Sequence, residues 1–181
     1  MEEIEVKFLD IDVARLEGEL SEAGAVKQFD RTYRRKVYDF PNLRLENDRA
    51  WVRVRDEGDT IRVAYKRGGE WTEEVEFEVS DFKLACLFFE KIGMLPKFSG
   101  ENRRIRYRLN DTNFDIDCYP GLPPYVEVES SSWEQLEEAA LRLSLGRYHR
   151  VPGDFRVDKD FGLDFDRYSE VMFERTVKKA D

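Results

Sequence analysis

The chain has 181 residues, enough for one domain with its own hydrophobic core, and 41% of them are hydrophobic while 38% are charged. Its 30 lysines and arginines against 39 acidic residues give a formal net charge of −9, which argues against a general nucleic-acid binder, because such proteins carry a basic surface. The aromatic content of 13% argues against a disordered chain, and no run approaches the roughly 20 apolar residues that a membrane span needs.

The chain is expected to be cytoplasmic. Its N-terminal residues have the composition of neither a signal peptide nor a transit peptide. Cys86 and Cys118 each stand in an apolar run without a second cysteine or histidine at metal-ligand spacing. We therefore expect reduced thiols that pack as small hydrophobic residues.

Alternation of apolar and charged residues with a period of two predicts about eight strands. Seven of them carry charged residues on one face and apolar residues on the other. The predicted strands lie, in chain order, at about residues 3–8, 31–40, 51–55, 61–66, 74–79, 104–109, 114–118 and 126–129.

Three amphipathic helices interrupt these strands, and each ends at a glycine, a common residue at helix C-termini. The predicted helices run from about Asp12 to Ala23, from Ser80 to Gly93, and from the capping-box sequence Ser132–Gln135 to Gly146. Residues 147–165 have no clear period, which predicts a long loop that can act as a lid. The fold class is therefore α+β.

The charged strand faces are compatible with two geometries. An open antiparallel sheet would turn them to solvent, with helices on its apolar side. A closed barrel would turn them inward, where both signs of charge and a bound ion would have to compensate one another. Patterning alone leaves both geometries open.

The N-terminal sequence Glu3-Ile4-Glu5-Val6-Lys7 resembles the Glu-x-Glu-x-Lys signature of the CYTH superfamily, which includes class IV adenylyl cyclases, thiamine triphosphatases and inorganic tripolyphosphatases. Further matches to the family follow in order along the chain. They are Arg53-Val54-Arg55, Tyr65-Lys66, Glu74-Val75-Glu76, Arg104-Ile105-Arg106, then Asp117, Gly121 and Val126–Glu129, and finally Asp166–Met172, with Arg167 in place of a serine at the start of the family's terminal helix.

This resemblance implies a single CYTH-like domain over residues 1–181, built as a closed antiparallel β-barrel that forms a triphosphate tunnel with helices packed outside. It also implies roles for individual residues. The implied substrate-binding residues are Lys7, Arg53, Arg55, Lys66, Glu76, Arg104 and Arg106. The implied ligands of Mg²⁺ or Mn²⁺ are Glu3, Glu5, Asp117, Glu127 and Glu129. The implied catalytic residues are Glu5, Lys7, Glu127 and Glu129.

The residue types agree with these roles. Arginine binds phosphate oxygens through two parallel hydrogen bonds, and lysine supplies a point charge. Carboxylate oxygens are the ligands that Mg²⁺ and Mn²⁺ prefer. Carboxylates that converge from distant strands would repel one another without a cation between them.

Three functions remain open at this point. The first is metal-dependent hydrolysis of inorganic tripolyphosphate, thiamine triphosphate or a nucleoside triphosphate. The second is an adenylyl cyclase that converts ATP to cyclic AMP and pyrophosphate, and the third is a non-catalytic polyphosphate or nucleotide binder. The absence of an adenine-reading motif favours hydrolysis, and the complete set of acidic residues disfavours a mere binder. The expected partner is a small-molecule triphosphate, with no membrane and no nucleic acid; a homodimer is left open.

Overall fold

The structure is a computed structural model that describes residues 4–68, 73–153 and 155–178. The strands within these ranges are β1 (Ile4–Leu9), β2 (Val26–Asp39), β3 (Ala50–Asp56), β4 (Ile61–Arg67), β5 (Glu73–Val79), β6 (Leu95–Leu109), β7 (Thr112–Cys118), β8 (Tyr125–Ser130), β9 (His149–Pro152), β10 (Tyr168–Val171) and β11 (Thr176–Lys178). The α-helices are α1 (Val13–Glu22), α2 (Arg44–Asn47), α3 (Phe82–Lys91), α4 (Trp133–Arg142) and α5 (Val157–Asp160). Two 3₁₀ turns lie at Leu145–Arg147 and Phe165–Arg167.

The chain divides into two compact units. The first unit comprises residues 1–31 and 103–164, and the second comprises residues 32–102 and 165–181. The long strands β2 and β6 each contribute one part to each unit. The prediction of a single domain over the whole chain stays a prediction.

The first unit contains the antiparallel strand order β6-β7-β8-β1-β9. Apolar residues of alternate positions face α1 and α4, and the resulting core includes the fully buried Ile116, Val128, Leu16 and Leu136. The other face of these strands is left to the charged residues, because side chains alternate between the two faces of a strand.

The second unit contains the antiparallel order β5-β4-β3-β2, and β10 runs parallel to β6 at Ser99 and Gly100. Its core lies on the side of the sheet that α3 covers. There Val54 and Val63 pack with Cys86 and Phe89 of the helix. Most of the charged residues of β3 and β4 lie on the opposite strand face.

The predicted capping box of the third helix is present at Ser132, but this helix ends at Arg142 and not at Gly146, which lies in the following 3₁₀ turn. The side chains of Asp12, Asp81 and Ser132 accept hydrogen bonds from the backbone N–H three residues further on, which is the usual N-cap contact. Gly24 and Gly93 follow α1 and α3 with φ of 84° and 91°, the left-handed conformation that favours glycine at helix ends.

All eight predicted strands and the three predicted helices are present, but the last part of the chain differs from the prediction. Residues 147–165 are not one long loop: they contain β9, which pairs with β1, and the short helix α5. The terminal helix that the resemblance places at Asp166–Met172 is absent, since Tyr168–Val171 forms strand β10. Such short segments show too little periodicity to predict, because their partners in the sheet lie far away in sequence.

The closed barrel is not confirmed. In the described ranges β5 and β9 each pair with a single neighbouring strand, so hydrogen bonds do not close the sheet. The described residues form a mostly antiparallel sheet with five helices. No helix in the described part of the chain combines the length and the apolar character that crossing a membrane would require.

The buried carboxylate of Asp39 provides a test of the fold. It ends β2 and accepts backbone hydrogen bonds from Phe40, Leu45 and Glu46 at 2.6, 3.0 and 2.9 Å, which fixes the connection to β3. We expect Asp39→Ala to lower the free energy of unfolding by about 2–3 kcal/mol, because buried N–H groups lose a charged acceptor. Urea unfolding measures this, with exposed Asp48→Ala as the control; equal stability of both variants would contradict the role of Asp39.

Candidate functional site

In the first unit, the charged faces of four strands form rows in which residues stand directly opposite one another. One row runs from Lys7 through Glu127 and Asp115 to Arg106. Its outer members are cations and its inner members are carboxylates. Opposite charges across neighbouring strands stabilise a sheet, so this row is balanced within itself.

Arg104 is the centre of this face. Its guanidinium donates to both oxygens of Asp117 at 3.0 and 2.5 Å, to Asp115 at 2.8 Å and to Glu127 at 2.7 Å. Burial alone would lower the pKa of Arg104, but Asp117, Glu127 and Asp115 raise it well above the usual value. Burial also raises the pKa of Asp117 to about 6, against the lowering effect of Arg104. Together with Glu5, Lys7, Arg106 and Glu129, these residues form what we call the mixed-charge cluster.

Lys7 is nearly buried and bridges two carboxylates. Its Nζ lies 2.9 Å from Oε1 of Glu5 and 3.2 Å from Oε1 of Glu127. Burial would lower the pKa of Lys7, but the charges of Glu127 and Glu5 outweigh burial and raise it. Lys7 is therefore a fixed cation and not a proton acceptor at neutral pH.

The neighbouring row brings two acids together. Glu5 stands directly opposite Glu129, an arrangement in which like charges destabilise a sheet. Burial and the charge of Glu127 raise the pKa of Glu5, so its ionised form lacks compensation in spite of Lys7. A cation bound beside Glu5 would relieve both effects.

These carboxylates meet the needs of Mg²⁺ only in part. Among the described residues, no three acidic, histidine or cysteine side chains are placed to hold a metal ion together. Both oxygens of Asp117 accept hydrogen bonds from Arg104. In contrast, Glu5 and Glu129 are two carboxylates that stand directly opposite one another. One or two carboxylates are the usual protein contribution when Mg²⁺ also binds substrate phosphates and water, so this pair fits such an ion.

In the second unit, one strand face carries a group of positively charged arginines. Arg35, Arg55 and Arg62 stand directly opposite one another on β2, β3 and β4. Arg53 lies on the same face of β3, two residues from Arg55. We call these four residues the arginine cluster. Because like charges in one row repel, this face is unfavourable unless anions compensate it.

A single carboxylate serves most of the arginine cluster. Oε1 of Glu76 accepts a hydrogen bond from Arg62 at 2.9 Å, while its Oε2 lies 3.7 Å from Arg53 and 3.9 Å from Arg55. Glu57 also contacts Arg55. The pKa of Glu76 is lowered, although burial raises it, because Arg62, Arg55 and Arg53 surround it. Arg62 also lies 3.5 Å from Glu78 and 4.0 Å from Glu57, so among these three arginines Arg53, which is 3.7 Å from Glu76, has the least compensation.

Unsatisfied donors confirm the shortage of negative charge. The Nε atoms of Arg53, Arg55 and Arg62 are shielded from solvent, and no described group accepts a hydrogen bond from them. Burial, together with the nearby charges of Arg55 and Arg35, lowers the pKa of Arg53 to about 10. Buried guanidinium groups without acceptors cost free energy, and such sites are typical of anion binding.

Most of the residues predicted from the sequence gather in one of these clusters. The first unit brings together Glu5, Lys7, Arg104, Arg106, Asp117, Glu127 and Glu129, and the second brings together Arg53, Arg55 and Glu76. Lys66 lies on the same face of β4 and pairs with Glu74 at 2.8 Å. Glu3, predicted as a metal ligand, lies outside the described residues.

The sequence prediction missed three contributors. Asp115 lies on the same strand face as Asp117, and Arg62 lies on the same strand face as Lys66. The period-two pattern that predicts Asp117 and Lys66 could therefore have predicted Asp115 and Arg62 as well. Glu57 follows β3, where alternation has ended, and no sequence signal identifies it.

Comparison with known proteins agrees with this architecture. The family model of the CYTH domain matches residues 1–149. No curated protein matches the chain.

Several solved structures share the fold. The PH1012 protein from Pyrococcus horikoshii OT3 is 21% identical, with 82% of this chain and 94% of that chain covered and a TM-score of 0.66. A candidate adenylate cyclase from Vibrio parahaemolyticus is 15% identical, with 88% and 96% covered and a TM-score of 0.69. A candidate adenylyl cyclase from Hippeastrum, described as having a dominant triphosphatase activity, is 13% identical, with 90% and 98% covered and a TM-score of 0.63.

Replacing a member of the arginine cluster tests the shortage of anions. We expect Arg53→Met to raise the free energy of unfolding by about 1–2 kcal/mol, because an apolar side chain removes a buried, poorly compensated charge. Inorganic tripolyphosphate should raise the melting temperature of the unmodified protein, and this gain should be much smaller in the variant. Thermal unfolding with and without the anion measures both effects.

The control is Arg34→Met on β2, since Arg34 is largely exposed and pairs with Asp56 at 2.8 Å. It should change neither the stability nor the gain from tripolyphosphate by more than a small amount. A less stable Arg53→Met that keeps the full gain would show that the cluster is a structural ion-pair network.

Proposed function

The chain belongs to the CYTH domain family, and from this premise we propose that it is a divalent-metal-dependent triphosphatase that hydrolyses inorganic tripolyphosphate, thiamine triphosphate or a nucleoside triphosphate. The family is one of enzymes that act on triphosphates, either as triphosphatases or as cyclases. The finer assignment rests on the charges of the two clusters.

The observation that carries the proposal is the excess of cations in the arginine cluster. Arg53, Arg55 and Arg62 crowd around one carboxylate and keep donors without acceptors among the described residues. Guanidinium groups bind phosphate oxygens in pairs, so a chain of phosphates offers the charge and the acceptors that this face lacks. Lys66 would add a further point charge on the same face.

The mixed-charge cluster has the complementary need. Its carboxylates outnumber its cations, and Glu5, which stands opposite Glu129, is the member whose pKa is raised by burial and by the charge of Glu127. A divalent cation would supply the positive charge that Glu5 lacks, and a chain of phosphates would supply the acceptors that the arginine cluster lacks.

Glu5 and Glu129 are the residues proposed to hold Mg²⁺ or Mn²⁺, since the two oxygens of Glu127 already contact Lys7 and Arg104. When bound, such an ion neutralises phosphate charge and lowers the pKa of a coordinated water. Arg104 keeps Asp117 and Glu127 in fixed positions through its three carboxylate partners. We propose that Asp117 fixes the position of Arg104, and that Arg104 in turn fixes the position of Glu127.

In the proposed reaction the oxygen of water forms a bond to the terminal phosphorus while the bridging P–O bond breaks. Orthophosphate is released, and the shortened phosphate chain leaves with the bridging oxygen. The arginines hold the phosphate oxygens in line and balance the charge that develops on them. Lys7, protonated and held by Glu5 and Glu127, contributes a cation; it cannot take the proton from water.

The second candidate is an adenylyl cyclase, in which the 3′-hydroxyl of ATP attacks the α-phosphorus and pyrophosphate leaves. The likeness to the candidate cyclase from Vibrio parahaemolyticus favours it. Both reactions would use the same cations to hold three phosphates. They differ in which phosphorus is attacked, and therefore in their products.

The products decide between these functions. The protein is incubated with tripolyphosphate, thiamine triphosphate or ATP, each with Mg²⁺ or Mn²⁺. We expect orthophosphate from at least one substrate and complete loss of turnover with EDTA. Cyclic AMP with pyrophosphate would instead establish the cyclase, and binding without turnover under either metal would establish a non-catalytic binder.

A matched pair of variants tests the role of the arginine cluster in turnover. We expect Arg55→Ala to lower kcat/KM by one to several decades, on the order of 2–4 kcal/mol, because a desolvated contact to phosphate is lost. Arg34→Ala, which removes an exposed arginine of the same unit, should keep activity near that of the unmodified protein. Equal activity of both variants would remove Arg55 from the site.

A further inference from the structure

Strand β9 brings a glycine into contact with one of the proposed metal ligands. β9 pairs with β1 in antiparallel register, with Val151 opposite Lys7 and Pro152 opposite Val6. The next residue, Gly153, therefore comes to lie beside Glu5. This part of the chain belongs to the segment that the sequence predicts to be a long loop.

The contact leaves no room for a side chain at position 153. A Cβ atom there would lie 2.9 Å from the backbone oxygen of Glu5, 3.0 Å from its Cβ and 3.1 Å from its Oε1. Real Cβ atoms essentially never approach another heavy atom within 3.0 Å, so any larger residue would have to displace Glu5 or β9. The first of these contacts involves backbone, which cannot turn aside as a flexible side chain can.

Backbone conformation does not explain the glycine. Gly153 has no positive φ, unlike Gly24, Gly93 and Gly121. Other residues can therefore adopt its conformation, and what favours glycine here is the close approach to Glu5.

Glu5 is confined from a second direction as well. Its Oε1, the carboxylate oxygen that a Cβ at position 153 would approach, accepts the hydrogen bond from Lys7 at 2.9 Å. Its backbone is held in register with Glu129 on β8. A group added at Gly153 thus pushes on a carboxylate whose position is otherwise fixed by Lys7 and by its own strand.

We propose that Gly153 is a positioning residue: by leaving space on the β9 side of Glu5, it sets the position of the Glu5 carboxylate for binding a divalent cation. The proposal rests on the proposed function, in which Glu5 is a metal ligand. It assigns to β9 a part in the site that goes beyond adding a strand to the sheet. Groups that orient a ligand in this way typically change metal affinity by about 10–100-fold when they are altered.

The test compares Gly153→Ala with Gly146→Ala. A Cβ at Gly146, on the exposed turn before β9, would meet no atom within 4 Å, so that variant is a matched control. Binding of Mn²⁺ alone is measured by electron paramagnetic resonance, without substrate. We expect Gly153→Ala to bind Mn²⁺ about 10–100-fold more weakly and Gly146→Ala to bind it as the unmodified protein does.

A double variant separates positioning from general damage. If Gly153 acts through Glu5, then adding Gly153→Ala to Glu5→Gln should cause no further loss of Mn²⁺ affinity. An additional loss of similar size in the double variant would overturn the proposal. So would a Gly153→Ala protein that binds Mn²⁺ with unchanged affinity.

A measurement on the unmodified protein covers the case in which Gly153→Ala does not fold. Mn²⁺ broadens nuclear resonances of nearby groups, so the amide signal of Gly153 should disappear at lower Mn²⁺ concentration than that of Gly146. Equal broadening of both would contradict the proposal. If the unmodified protein binds no Mn²⁺ at all, the proposed metal dependence fails as a whole; if it binds Mn²⁺ while the variants behave alike, only the role of Gly153 fails.

Discussion

In both units the charged side chains of the described cluster share one face of the strands, because helices pack on the other face. A side chain on a strand can point only to one face or the other, so the charges on the shared face must compensate one another. The mixed-charge cluster does so largely through Arg104, whose four hydrogen bonds reach Asp117, Asp115 and Glu127. Removing one partner of such a buried network would leave a charge without compensation, so these residues depend on one another.

The arginine cluster shows what happens when compensation is incomplete. Burial and neighbouring cations lower the pKa of Arg53 to about 10, whereas the carboxylates around Arg104 raise its pKa. The two arginines are both withdrawn from solvent, so the difference comes from the acids that each one meets. Burying Arg53 without enough acceptors lowers the stability of the fold. A bound anion would supply these acceptors, so the same deficit would strengthen anion binding.

The sequence predicts the parts of the site that follow a period. Arg53, Arg55, Glu127 and Glu129 lie on regular strands, where alternation alone places them on the charged face. It does not predict how their charges pair, since pairing depends on cross-strand register. An example is Asp117, a predicted metal ligand whose two oxygens both accept hydrogen bonds from Arg104. Nor does it predict β9, four residues long, whose hydrogen bonds go to a strand at the other end of the chain. Short elements of this kind are decided by distant partners and not by local pattern.

Repulsion among the acids bears on how a metal would be held. Glu5 faces Glu129 across the strands, and Glu127 raises the pKa of Glu5, yet no described set of three ligands encloses an ion. A complete cage would bind Mg²⁺ whether or not substrate were present. Two or three carboxylates that only partly surround an ion leave positions for phosphate oxygens, so affinity for the ion and affinity for the triphosphate reinforce each other. If Glu5 holds the ion as proposed, a small displacement of Glu5 would weaken both affinities, and the space that Gly153 leaves beside it would serve the binding of substrate as well as of metal.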